Sequence, residues 1–139
     1  MFERYTERAR RALFFARYAT STFGGTAIEP EHLLVGLLRE RQGFMTQLLR
    51  SAQVDPDLLQ IELEKRIVPG VRLSTTVEIP FSQQTKDVLY SAASEADRLG
   101  HDYIGAEHLL LAILGVPSSA AEVLTSFGIN EDVVRQQIT

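Results

Sequence analysis

The sequence has no cysteine and no tryptophan. Without cysteine there is no disulfide, no thiolate metal site and no cysteine nucleophile. Such a composition suits a reducing compartment, and a cytoplasmic location is the expectation. No apolar run approaches the roughly 20 residues that a membrane-spanning helix needs. Met1-Phe2-Glu3-Arg4 opens the chain without the hydrophobic core of an export signal. Net positive charge is also missing: the formal charge is −4, which argues against a nucleic-acid partner. No Gly-rich phosphate loop ending in Lys-Ser or Lys-Thr occurs, and no serine sits in a nucleophile elbow. Enzyme chemistry, cofactor binding and metal binding are therefore not expected.

What is present is an ordinary globular composition, 45% apolar, over 139 residues. From about residue 6 to 23, Ala9, Ala12, Leu13, Ala16, Ala19 or Thr20, and Phe23 recur at helical spacing. Thr6 is the expected N-cap and Gly24-Gly25 the stop. This first helix carries Arg4, Arg8, Arg10, Arg11 and Arg17. They read as a solvated face paired with Glu3 and Glu7, or, more sharply, as a docking face for an acidic partner.

A second helix should start at Pro30 and run through Leu33, Leu34, Leu37 and Leu38 to about Glu40, with Gln42-Gly43 breaking it. A short helix follows, with Phe44, Leu48 and Leu49 inward. Asp55-Pro56 opens a fourth, in which Leu58, Leu59, Ile61, Leu63 and Ile67 are the apolar positions. Pro69-Gly70 ends that half. Val71 to Pro80 is rich in β-branched residues and reads as an extended linker.

The pattern then begins again. Ser82 matches Thr6, Leu89 matches Leu13, and Gly100 matches Gly24. Ile104-Gly105-Ala106-Glu107-His108-Leu109-Leu110 likewise matches Ile28-Glu29-Pro30-Glu31-His32-Leu33-Leu34, all at a shift of 76 positions. One residue of gap brings Leu124 onto Leu49 and Asn130 onto Asp55. A repeat of caps, breakers and core positions implies two copies of one unit. The expected fold is all-α, with about eight helices in two pseudo-twofold-related four-helix repeats. The first repeat covers about 5–68, the linker 69–80 and the second repeat 81–139. Halves of this size are marginal alone, so they should share one core.

The two Glu-His pairs lie in first helical turns. A carboxylate there favours the helix dipole by ~0.3–1 kcal/mol. Both histidines are expected to hydrogen-bond a neighbouring helix end rather than to ligate a metal, and His101 to be solvated. A helix N-terminus can hold an anion and an adjacent carboxylate a guanidinium, so a phosphorylated arginine would satisfy both.

With these residues in view, the chain resembles the N-terminal (Clp repeat) domain of the ClpC-type AAA+ Clp unfoldases. The resemblance rests on Met1-Phe2-Glu3-Arg4-Tyr5-Thr6-Glu7-Arg8-Ala9 and the two Glu-His-Leu-Leu openings. It rests also on Leu99-Gly100-His101-Asp102-Tyr103-Ile104-Gly105 and the closing Val134-Arg135-Gln136-Gln137-Ile138. It implies a monomeric, non-catalytic module that receives adaptor proteins and protein substrates for an unfoldase feeding a ClpP-like protease. The AAA+ ATPase domains would stand in cis. The alternative is a free-standing accessory protein acting on that machine in trans. The resemblance also implies that Glu31 and Glu107 contribute to binding phosphoarginine-marked substrates. The helix opening at Gly105 and Ala106 would cradle phosphate, and Thr6 and Ser82 are further candidates. Glu29-Pro30 departs from the family pattern: it adds a negative charge and removes a donor N–H, so the first site should be the weaker. The turns Arg41-Gln42-Gly43-Phe44 and Val116-Pro117-Ser118-Ser119 also depart from it.

Overall fold

A computed structural model describes residues 2–40, 43–74 and 77–138. The readings that fall on Met1, Arg41, Gln42 and Thr139 lie outside the described residues. Eight helices follow one another among those described. They are α1 (Glu7–Phe23), α2 (Pro30–Arg39), α3 (Phe44–Ser51), α4 (Pro56–Glu64), α5 (Gln83–Arg98), α6 (Ala106–Gly115), α7 (Ser119–Ser126) and α8 (Glu131–Ile138). Thr6 and Ser82 are N-caps as expected: their hydroxyls accept from Ala9 N–H at 3.1 Å and Thr85 N–H at 3.2 Å. Asp55 caps α4 and Ser118 caps α7 in the same manner.

The first helix of each half packs on the second, α1 on α2 and α5 on α6. Within the halves α2 also meets α4, and α6 meets α7 and α8. The contacts between halves come in matched pairs: α1 with α6 and α5 with α2, α2 with α7 and α6 with α3, α4 with α7 and α8 with α3. In addition α2 meets its own copy, α6. One continuous core results, containing Leu33, Leu34 and Leu37 from α2 and Leu109, Leu110 and Leu111 from α6. Gly36 permits the closest approach, because a Cβ there would overlap the Ala12 carbonyl of α1. At the matching place on α6 stands Ala112.

Two short backbone bridges, Tyr5 to Ile104 and Phe81 to Ile28, are themselves related by the repeat. Thr6 N–H donates to Ile104 O at 3.0 Å, and Ile104 N–H to Arg4 O at 2.9 Å. In the other copy Ser82 N–H donates to Ile28 O at 3.1 Å, and Ile28 N–H to Pro80 O at 2.8 Å. Each bridge ties the cap of one half's first helix to the entry of the other half's second helix. The expected linker makes the same kind of contact: Gly70 N–H donates to Phe23 O at 2.7 Å and Leu73 N–H to Ser21 O at 2.9 Å. Gly24, which ends α1 at φ 86°, lies against Gly70 so closely that a Cβ on it would overlap the Gly70 backbone.

Some core expectations need correction. Leu58 and Ile61 are 55% and 52% exposed, because α4 buries only the face with Leu59 and Leu63. Leu13 and Phe23 are only half-buried, since alanines form the packed stripe of α1. Met45, absent from the inward set expected for α3, is buried.

Candidate functional site

The crossed bridges determine which residues can meet. Because Thr6 is hydrogen-bonded to Ile104, the N-terminus of α1 lies beside that of α6. A pocket of about 510 Å³ between them is lined by Thr6, Arg8, Arg11, Tyr103, Ala106 and Glu107, together with Glu40, Phe44 and Met45. The structure thus brings Thr6, Ala106 and Glu107 together, with Gly105 immediately before them. Arg8 and Arg11 come from one half and Glu107 from the other.

The carboxylate of Glu107 folds back over Gly105, where a Cβ would overlap its Oε1. It faces Tyr103, whose hydroxyl is pushed up by partial burial and then by the Glu107 charge. Arg11 pairs with Glu40 at 3.2 Å and with Glu7 at 3.4 Å. Arg8 Nη1 is 3.9 Å from Glu40 and, although buried, has no hydrogen-bond partner among the described residues. At the start of α6 the N–H groups of Ala106 and Glu107 have no intrahelical acceptor to reach.

The matching pocket beside α2, of about 380 Å³, is lined by Gly25, Ala27, Glu29, Glu31, His32 and Arg66, with Gln84 and Ser119 from the second half. Ser82 is bonded to Ile28 nearby but does not line it. Its electrostatics differ at nearly every repeat position. Gln84 stands for Arg8, Asp87 for Arg11, Ala27 for Tyr103, Glu29 for Gly105 and Pro30 for Ala106. Arg66, which lines this pocket, is paired to Glu122 at 2.8 Å. The position matching Gly105 carries a glutamate, Glu29, and Glu31 is engaged elsewhere. The Glu31 Oε2 accepts from Ala120 N–H at 3.0 Å, at the N-terminus of α7.

His32 and His108 are structural, as expected, but with a different partner. Each ring sits at the third helical position and its Nδ1 accepts the N–H of its own helix's N-cap residue, Glu29 or Gly105, at 2.9 Å. Burial lowers both pKa values; nearby Glu29 partly offsets this at His32, and Glu107 does so at His108. His101 is not merely solvated. Its Nδ1 lies 2.8 Å from His108 Nε2, and its ring stacks on Tyr103 at 4.9 Å.

The arginine-rich face also resolves. Arg4 binds Asp97 at 2.9 Å and Arg10 binds the Phe2 carbonyl at 3.1 Å. Of the pairings expected with Glu3 and Glu7, the Arg11–Glu7 pair is seen. Sequence reasoning named the arginines without placing any at the α6 opening. The available signal was that Arg8 lies two residues from Thr6, already a candidate. No three His, Asp or Glu side chains gather as a metal site among the described residues, and no single described helix is long and apolar enough to cross a membrane.

A two-fold all-helical repeat with polar pockets at its second-helix openings is the class of fold this chain has. The chain belongs to the Clp repeat (R) N-terminal domain family, whose pattern matches residues 4–89 and 80–139. It is 36% identical over 139 residues to the chaperone protein ClpB of Oceanobacillus iheyensis, covering 99% of this chain and 17% of that protein. It is 34% identical to the negative regulator of genetic competence ClpC/MecB of Bacillus subtilis, with the same two coverages. The chain therefore spans only about a sixth of the length of these relatives. Among solved structures, the N-terminal domain of the caseinolytic protease associated chaperone ClpD from Arabidopsis thaliana superposes with a TM-score of 0.76. That match has 27% identity and covers 99% of this chain and 93% of the other.

Proposed function

We propose that this domain is the non-catalytic recognition module of a cytoplasmic Clp AAA+ unfoldase that feeds a ClpP-like protease, and that it reads phosphoarginine on protein substrates through the pocket at the start of α6. The units taken are a first repeat over 5–68 and a second over 81–139, joined by 69–80. The observation that carries the reading is the placement of Arg8 and Arg11 in one pocket with Glu107 and Thr6. A phosphoryl group needs cations and free N–H donors, and a guanidinium needs a carboxylate. Arg8 and the N–H groups of Ala106 and Glu107 supply the first, with Arg11 joining them on leaving Glu40 and Glu7, which line the same pocket; Glu107 supplies the second.

The pocket at Glu31 is the weaker candidate. There the arginines are replaced by Gln84 and Asp87, Glu29 adds charge, and Glu31 is engaged at Ala120. Adaptor proteins are further partners on this reading.

Calorimetric titration with free phosphoarginine, beside arginine and phosphate, tests the proposal. Saturable binding is expected in the unaltered chain and in Glu31→Ala. It should be lost in Glu107→Ala and weakened in Arg8→Ala. Equal losses in the two glutamate variants, or no binding at millimolar ligand, would overturn it.

A further inference from the structure

The two arginines in the pocket at the start of α6 face carboxylates of their own half, and those carboxylates are not alike. Glu40 Oε2 lies 3.2 Å from Arg11 Nε, and its Oε1 lies 3.9 Å from Arg8 Nη1. The Glu40 side chain is only 16% exposed. Glu7, the other partner of Arg11 at 3.4 Å, is 84% exposed, so water screens most of that attraction. Glu40 is the effective counter-charge of the pocket. The repeat shows that these charges go together: Gln84 stands for Arg8, Asp87 for Arg11 and Val116 for Glu40. The helix end itself does not require a carboxylate at this place. Glu40 N–H donates to Leu37 O at 3.3 Å, and Val116 N–H donates to Ile113 O at the same distance.

We infer that Glu40 sets the specificity of this pocket, admitting a phosphoryl group that carries its own cation and rejecting a plain phosphate or a phosphoserine. The inference rests on the phosphoarginine reading and names the residue that makes the pocket selective. Glu7, Glu40 and Glu107 line it against Arg8 and Arg11, so a bare phosphate meets no net positive field there. An entering phosphoryl group competes with Glu40 for Arg11, and the two negative charges repel. Phosphoarginine offsets that repulsion through its guanidinium, which Glu40 and Glu107 both attract. Phosphoserine, close to a dianion at neutral pH, has no such offset. Discrimination of this kind needs a repulsive element beside the attractive ones. The Coulomb penalty scales with the ligand's net charge, so removing Glu40 should help a dianion about twice as much, in free energy, as phosphoarginine with its net charge of about −1.

The test is an NMR titration that follows the Ala106 and Glu107 amides, which report the α6 opening. The ligands are phosphoarginine, inorganic phosphate and N-acetyl-phosphoserine amide, all at one ionic strength. Glu40→Gln keeps the size of the side chain and an oxygen that can accept from Arg11, and circular dichroism verifies that its helices remain. This variant should tighten phosphate and phosphoserine binding roughly tenfold and phosphoarginine binding only about threefold. Glu7→Gln removes the same formal charge from an exposed position and should change each affinity by less than about twofold. Adding Arg11→Gln to Glu40→Gln should return phosphate and phosphoserine to the affinities of the unaltered chain or below. The inference alone is overturned if phosphoarginine binds but Glu40→Gln leaves phosphate and phosphoserine unchanged, favours all three ligands equally, or keeps its gain without Arg11. If phosphoarginine moves neither amide in either chain, the phosphoarginine reading falls and the inference with it.

Discussion

Glu31 Oε2 accepts a hydrogen bond from Ala120 N–H at 3.0 Å, joining the second helix of one half to the N-terminus of the third helix of the other. The equivalent carboxylate, Glu107, lies over Gly105 and faces Tyr103 instead. One glutamate works as a structural tie between halves, and its copy faces an arginine-lined pocket.

Glu31→Ala should therefore destabilise the fold by about 1 kcal/mol, the usual cost of losing a side-chain acceptor at a helix start. Glu107→Ala should change stability by less than ~0.5 kcal/mol, as surface substitutions usually do. Urea denaturation of both variants decides it. A reversed order would mean that the two carboxylates have been assigned the wrong roles.

Leu34 and Leu110 occupy matching positions and are both fully buried in the shared core. Truncating either to alanine should cost on the order of 2–5 kcal/mol. A loss below ~1 kcal/mol in either variant would show that its half packs more loosely than the repeat implies.

Gly36→Ala puts a methyl group into the Ala12 carbonyl where α1 and α2 touch. The expected cost is ~1–3 kcal/mol from overpacking, despite alanine's better helix propensity. Ala112→Gly, at the matching place on α6, should lose about 1.5 kcal/mol, through propensity and one missing buried methyl. Thermal melts that show Gly36→Ala to be neutral would mean that the first two helices can separate without penalty.

His32 and His108 titrate below the ordinary imidazole value of about 6.5, chiefly because burial disfavours the charged ring. Below about pH 6.5 the unfolded chain therefore takes up protons that the folded chain resists. The stability is fully present above that pH and declines as pH falls through the lowered folded values. Melting temperatures should drop between pH 7.5 and 5.5, and the drop should shrink in His32→Gln with His108→Gln. An unchanged pH dependence in the double variant would assign the effect to other groups.

Much of the fold could be read along the chain, for a definite reason. Thr6, Ser82 and Asp55 cap helices through bonds spanning two or three residues, and the Leu-Leu runs at 33–34 and 109–110 face inward by local periodicity. Interactions of this range are visible in sequence, and a repeat at one shift doubles the signal. The interior of α1 was less legible: small alanines permit close packing, so the apparent stripe through Leu13 and Phe23 is not its most buried line.

The site divides in the same way. The sequence alone determined the repeat, the all-helical class, and the presence of two Glu-His helix openings. The tertiary structure decided what each opening faces. Arg8 shares a pocket with Glu107, and Glu31 meets Ala120, because the backbone bridges Tyr5–Ile104 and Ile28–Phe81 cross between halves. Those contacts join residues from 53 to 99 positions apart and have no local periodicity to announce them.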